Sequence, residues 1–210
     1  PMQDIWAKPP AKGQTHGEGL AEHTQAVVAA TASVLRLRPG VGAYAGQQKL
    51  APWALWAAAF HDMGKAASGF QSMVRGGERW GRRHEVLSLA FLAPFAAAMG
   101  EEAVRWVSAA VLSHHRDEAS LWSVYEPPDS MPPDPDDPLL LLVGGVSEAD
   151  FVACTEWLTT ELLPWAATLV DVPLTALALP ERPRWQPSEA LAFMAGRLID
   201  YHRLAYGFTS

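Results

Sequence analysis

The chain has 210 residues, 49% hydrophobic and 19% charged, with a formal net charge of -7. These values suit one well-buried globular domain and exclude disordered and fibrous classes. No stretch approaches the ~18 uninterrupted apolar residues of a membrane span, the start lacks the charged-then-apolar plan of a signal peptide, and the single Cys154 excludes an internal disulfide, so a cytoplasmic protein is expected.

Plentiful Ala, Leu and Trp, with little Ile and no Asn, favour an all-α fold. Residues 1–19, rich in Gly, Lys and Pro, read as an irregular leader. Leu20 to Leu37 read as a first helix, with Leu20, Val27, Val28, Val34 and Leu35 as its apolar stripe and Arg36, Arg38, Pro39 and Gly40 as stop signals. His23 lies near its start, and His16 in the leader competes with it as a ligand. Lys49 to Phe60 reads as a buried helix that tolerates Pro52 in its first turn and delivers His61 and Asp62 at its end. Gly64 is expected to leave that helix through a left-handed conformation, turning Lys65 toward the same pocket.

A short turn or helix at Ser68–Val74 precedes the basic loop Arg75 to Arg83, where arginines interleave with Trp80. Arg79, Arg82 and Arg83 suit a single-stranded nucleic-acid backbone, with a solvated loop around a packed Trp as the alternative. His84 opens a third long helix, kinked at Pro94, and Glu101 to His115 forms a fourth that ends on the paired His114 and His115. Seven acidic and no basic residues between Glu126 and Asp150 account for the whole charge imbalance, and six prolines make 126–138 an irregular Pro/Asp-rich insertion. Leu139–Val143 reads as extended, Ser147 as a helix cap, and Pro164 as an end or kink. A second irregular stretch, 171–187, gives way to a last helix capped by Ser188 and running to about Tyr206. Within it Asp200 lies one turn from Gly196, whose missing side chain leaves room for close approach, and His202 falls with Leu191, Ala195 and Leu198 as core. Cys154, among apolar neighbours, reads as core filler. The sequence contains no internal repeat, no Walker-type loop and no Cys pair suited to structural zinc.

His23, His61, Asp62, His84, His114, His115 and Asp200 give five imidazoles and two carboxylates from five helices, with His202 as the alternative to Asp200. Seven ligands exceed one tetrahedral zinc and fit two divalent ions bridged by Asp62. Nitrogen and oxygen ligation without thiolate favours Mn, Fe, Co, Ni or Zn over Mg alone. Such a pair hydrolyses phosphodiesters without a side-chain nucleophile, and Lys65 is placed to neutralise charge on the phosphate, with a structural salt bridge as its alternative role.

The motifs Leu20-x-x-His23, His61-Asp62-x-Gly64-Lys65, Phe70-Gln71, His84-Glu85-x-Leu87-Ser88, His114-His115 and the late Asp200 resemble the HD nuclease domain of the CRISPR type I nuclease-helicase, across nearly the whole chain. His61-Asp62 alone points only to the HD phosphohydrolase superfamily; Phe70-Gln71 and the paired histidines point to the CRISPR branch. The resemblance implies a single HD-domain helical bundle over 1–210. It implies one metal on His23, His61, Asp62 and Asp200, and the other on Asp62, His84, His114 and His115. Ile199-Asp200-Tyr201-His202 departs from the Ala-Asp-Trp surroundings usual for that aspartate. The implied substrate is single-stranded DNA, cut internally and then degraded, with helicase domains in cis or in trans and an RNA-guided surveillance complex as partners. The competing expectations are an HD phosphohydrolase acting on a nucleotide or cyclic dinucleotide, which needs a closed pocket, and a non-catalytic adaptor that keeps the fold.

Overall fold

Helix-forming residues dominate the chain, and the computed structural model folds them into helices with one two-stranded sheet; it describes residues 1–115, 117–127, 134–170 and 172–206. The N-terminal segment is not an irregular leader. A 3-10 turn at Met2–Asp4 leads into β1 (Trp6–Lys8), which pairs antiparallel with β2 (Glu18–Gly19), Trp6 opposite Gly19 and Lys8 opposite Glu18. Strands this short carry no alternating pattern, and a distant side chain supports them. Trp6 N–H donates to Gln71 Oε1 (2.9 Å), and Gln71 Nε2 donates back to Trp6 O (2.8 Å).

The first helix, α1 (Leu20–Leu37), has the expected bounds, but its fully buried face is Leu20, Thr24, Val28 and Ala32, four residues apart, while Val34 is exposed. After the single turn of α2 (Val41–Tyr44), the apolar helix α3 (Leu50–Phe60) buries Trp53, Leu55, Trp56, Ala58, Ala59 and Phe60 against neighbours that include α1 and α7. The chain leaves it through His61, Asp62 and a 3-10 turn at Met63–Ala66. Gly64 is not left-handed. Its missing side chain serves a close approach instead, since a Cβ there would lie 2.1 Å from His84 O and 2.8 Å from Ser88 N.

Helix α4 (Ser68–Val74) and the basic loop lead to α5 (His84–Leu92), in which every residue from Glu85 to Leu92 is buried. Pro94 breaks it as expected, through a 3-10 turn at Ala93–Phe95 into α6 (Ala96–Met99). Helix α7 (Glu101–Ser113) presents Val104, Val107, Val111 and Leu112 to the core and stops at His114. Helix α8 (Glu118–Tyr125) is capped by Asp117, whose Oδ1 accepts from Ser120 N–H.

Leu139–Val143 is not extended: α9 (Pro138–Val143) forms because Asp137 accepts from the N–H groups of Leu139 and Leu140, and Pro138 suits a first helical turn. Of the Pro/Asp-rich insertion, residues 128–133 lie outside the described residues. Ser147 caps α10 (Glu148–Trp157) as expected. Pro164 does not end the segment: α10 passes through a π-helical turn at Leu158–Leu162, and α11 (Leu163–Leu169) carries the proline in its first turn. In the second irregular stretch residue 171 lies outside the described residues, and a 3-10 turn forms at Leu174–Ala176. The last helix, α12 (Pro187–Ala205), is not capped by Ser188: Gln186 occupies the cap position and Pro187 opens the helix. Helix α12 lies across α5, α7 and α8. Among the described residues no helix is long and apolar enough to cross a membrane.

Candidate metal centre

Four elements point histidines at one carboxylate. Asp62, just beyond α3 and 1% exposed, has Oδ2 3.1 Å from His23 Nε2 on α1, 3.1 Å from His61 Nε2 and 2.7 Å from Lys65 Nζ. Its other oxygen, Oδ1, lies 2.9 Å from Nε2 of His84, the first residue of α5, and 3.5 Å from Nε2 of His114, at the end of α7. The ring of His115 stands 4.1 Å from that of His114 and 5.1 Å from that of His84, centroid to centroid. Two groups result, His23–His61–Asp62 and Asp62–His84–His114–His115, each with ligand atoms within 4.8 Å of one another. Two ligands on opposite sides of one ion, at bonds of ~2.1 Å, span ~4.2 Å, so either group needs little closure to hold a divalent cation.

The far ring nitrogens fix how these imidazoles present themselves. His61 Nδ1 lies 2.8 Å from Ala58 O and His114 Nδ1 2.6 Å from Val111 O. A carbonyl oxygen only accepts, so both rings carry hydrogen on Nδ1 and aim Nε2 at Asp62. A neutral Nε2 lone pair facing a carboxylate oxygen at this range is repulsive unless a proton or a cation lies between them. Asp62 Oδ1, His84 Nε2 and His114 Nε2 are buried and without a well-formed hydrogen bond. Orphaned polar atoms converging from three elements are what a cation site requires, and the residues fit one.

Burial alone would raise the Asp62 carboxyl, but the imidazoles of His114, His23, His61 and His84 outweigh it and hold it well below the usual carboxylate range. Contact with Asp62 raises His23 above its ordinary value against the effect of burial, and Glu18 adds to the rise. His115 is pushed down to about 4 by burial and by the neighbouring His114 and His84, so its ring offers a free lone pair at neutral pH.

Lys65 does turn toward this cluster: its ammonium is buried against Asp62 and 5.7 Å from the centre of the Phe70 ring. The basic loop borders His84. Arg79 is exposed, while Arg82 and Arg83 are half-buried. Arg83 N–H donates to Tyr125 Oη, and its Nε lies 4.0 Å from Glu85 Oε1. Trp80 is not free to stack a base, because it packs against Gly69 and edge-on to Phe70.

Asp200 is in neither ligand group. Its Oδ2 lies 3.1 Å from Arg197 on the same helix, and Gly196 has nothing near its Cβ position, so no close approach occurs there. His202 is not core either: it stacks on Trp122 at 3.9 Å with Nδ1 2.5 Å from Glu118 Oε1. His16 is exposed beside Thr15, away from both groups. Cys154 is fully buried, as expected of core filler, and burial raises its thiol pKa.

Two carboxylates outside the predicted ligand set touch the cluster. Glu18 Oε1 lies 2.9 Å from His23 Nδ1, and buried Glu85 has Oε2 3.6 Å from His84 Nδ1. Glu85 sits next to a candidate ligand and is legible as an acidic residue in an otherwise apolar helix. Glu18 precedes α1, so helical spacing gives no sign of it. Cavities of about 400 Å³ beside Lys49, Trp53 and Glu101, and about 470 Å³ beside Gln3, Gln25 and Trp157, contain none of the seven predicted ligands.

A protein-family profile described as "Cas3, HD domain" matches residues 6–199 of the chain. Comparison with curated proteins gives no match, and neither does comparison with solved structures.

Proposed function

The chain belongs to the Cas3 HD-domain family, which carries a metal-dependent nuclease role in type I CRISPR systems, and from that premise we propose that it cuts single-stranded DNA with two divalent ions at the Asp62 cluster. The observation that carries the reading is the division of one buried carboxylate: Oδ2 faces His23 and His61, and Oδ1 faces His84 and His114. Asp62 would be shared by both ions, with His23 and His61 holding one and His84, His114 and His115 the other. Asp200, paired with Arg197, would join the first side only if that ion pair opens.

Bound there, divalent ions of the Mn, Fe, Co, Ni or Zn type supply an activated water and charge stabilisation for in-line displacement at phosphorus. The protein's part is orientation. His61 and His114 are held by carbonyls of their own helices, so their lone pairs need no rearrangement when the site fills. Lys65 keeps an ammonium within 2.7 Å of Asp62 Oδ2, where it offsets negative charge that accumulates on the phosphate. Arg79, Arg82 and Arg83 hold the strand's backbone at the His84 edge of the cluster; with Trp80 packed inward, this loop contributes charge and not stacking.

The chain carries no Walker-type loop, and separating strands costs about 1.4 kcal/mol per base-pair step. Helicase domains, in cis or in trans, and an RNA-guided surveillance complex therefore supply the single strand. The test compares circular single-stranded DNA with linear duplex under the same Mn, Co or Ni conditions and a chelator control. Metal-dependent, ATP-independent cutting of the circle with little cutting of the duplex is expected. Equal rates on both, or cutting that survives the chelator, would overturn the proposal.

A further inference from the structure

The four histidines that face Asp62 differ in what holds their second ring nitrogen. His61 and His114 use carbonyls three residues back on their own helices, a partner that any sequence supplies there. His84 has Glu85 at 3.6 Å, beyond hydrogen-bond range. His23 sits in the first turn of α1, where the carbonyl three residues back, Leu20 O, accepts the Thr24 hydroxyl at 2.8 Å. Its Nδ1 meets Glu18 Oε1 at 2.9 Å instead. Of the four, only His23 has a carboxylate at hydrogen-bond distance from this second nitrogen.

Glu18 is itself held. Its other oxygen accepts from Lys8 Nζ at 2.7 Å, and Lys8 is its register partner across the two-stranded sheet. That ion pair and the His23 contact together engage both carboxylate oxygens of Glu18. The sheet is anchored beside the metal cluster: Gln71, which exchanges two hydrogen bonds with Trp6, also donates to Lys65 O at 2.7 Å. One short hairpin thus links Glu18, the partner of His23, through Trp6 and Gln71 to the backbone of Lys65.

We propose that Glu18 is a positioning residue for the metal centre: its carboxylate takes the Nδ1–H of His23, which aims the His23 Nε2 lone pair at the Oδ2 side of Asp62 and makes the ring a stronger ligand. The N-terminal hairpin is then a working part of the His23–His61–Asp62 half, and the two halves differ in kind. One has a charged partner drawn from a strand behind His23 as well as the Ala58 carbonyl behind His61; the other has the Val111 carbonyl behind His114 and a loosely placed Glu85. This rests on the two-ion reading above.

Zinc and cobalt(II) titrations with elemental analysis test it on the wild-type chain and on the Glu18→Ala, Glu18→Gln and Lys8→Met variants. Glu18→Ala should weaken one ion about 10–100-fold and leave the other unchanged, the range seen when such a supporting partner is removed. Glu18→Gln keeps an oxygen acceptor without the charge and should fall between. Lys8→Met breaks the hairpin ion pair but not the His23 contact and should lose less affinity than Glu18→Ala. Histidine-labelled, zinc-loaded wild type should show a slowly exchanging Nδ1–H on His23 that disappears in Glu18→Ala.

Unchanged affinity and an unchanged His23 signal in Glu18→Ala would overturn the proposal, as would a Lys8→Met variant that behaves like Glu18→Ala and so reduces the effect to hairpin folding. If Glu18→Ala does not fold, the nearly isosteric Glu18→Gln decides by the same two readouts. A wild type that binds a single ion would refute the two-ion reading while the His23 signal still judged Glu18.

Discussion

A methyl group at Gly64 perturbs this centre without removing any ligand. The Cβ of Gly64→Ala would lie 2.1 Å from His84 O, 2.8 Å from Ser88 N and 3.0 Å from His84 C, where real contacts essentially never fall below 3.0 Å. All three atoms are backbone, so no side chain can swing aside. The first turn of α5 must retreat by roughly 1 Å, yet Glu85 to Leu92 are buried on all sides and resist. Over-packing of this kind costs ~1–3 kcal/mol, and rigid backbone on both sides argues for the upper end. For a domain of this size each kcal/mol lowers Tm by about 2–4 °C, so a loss of roughly 6–12 °C is expected.

The same retreat stretches the 2.9 Å approach of His84 Nε2 to Asp62 Oδ1 and loosens Gly64 N–H from the Ser88 hydroxyl. Metal content should therefore fall at the His84–His114–His115 side while His23 and His61 keep theirs. Thermal unfolding and elemental analysis of Gly64→Ala and Gly64→Asn read both effects. Asn tolerates left-handed backbone best among side-chain-bearing residues, so a rescue by Asn would mean that conformation and not close approach selects glycine here. A Tm within about 2 °C of wild type, together with full metal content in the alanine variant, would refute the reasoning.

Asp62→Ala should abolish binding of both ions together, because the two oxygens of that one carboxylate serve both groups; two ions per chain by elemental analysis would end the bridging assignment. Changing Arg79, Arg82 and Arg83 together to Ala should weaken single-stranded DNA binding and flatten its salt dependence while metal content stays intact, and an unchanged slope would remove the loop from the interface. Ser88→Ala should cost ~1–3 kcal/mol in denaturant unfolding, since its hydroxyl accepts from Gly64 N–H and shares its proton between the carbonyls of His61 and His84. The Cys154 thiol has a folded pKa raised above its ordinary value of 9.0, chiefly by burial, so its contribution to stability is present below pH 9 and is lost as pH rises above it. Stability measured from pH 8 to 10.5 should fall more steeply in wild type than in Cys154→Ala, and parallel slopes would contradict full burial of the thiol.

What the sequence determined by itself is what local rules govern. Helix α1 was legible to the residue from its apolar spacing and stop signals, α10 from the Ser147 cap, and the starts of α5 and α7 from the runs that follow His84 and Glu101. The histidines and Asp62 were legible as a set because each sits at or near a helix end, where side chains from separate helices can converge. Local rules misled where two structures share one signal. Leu139–Val143 suits strand or buried helix until Asp137 supplies the cap. The 1–19 segment lacks periodicity, and its strands are stabilised by Gln71, distant in sequence.

Tertiary structure alone decided distances between elements. It chose His23 over His16, turned Asp200 to Arg197, drew His202 to Glu118, packed Trp80 inward, and gave Gly64 its role through the carbonyl of His84. It also set Glu18 against His23 from a strand that no helical repeat could predict. Spacing along a chain reports only which residues share a face; which faces meet is fixed by the packing of buried side chains across the whole core, a sum over contacts that no short stretch of sequence contains.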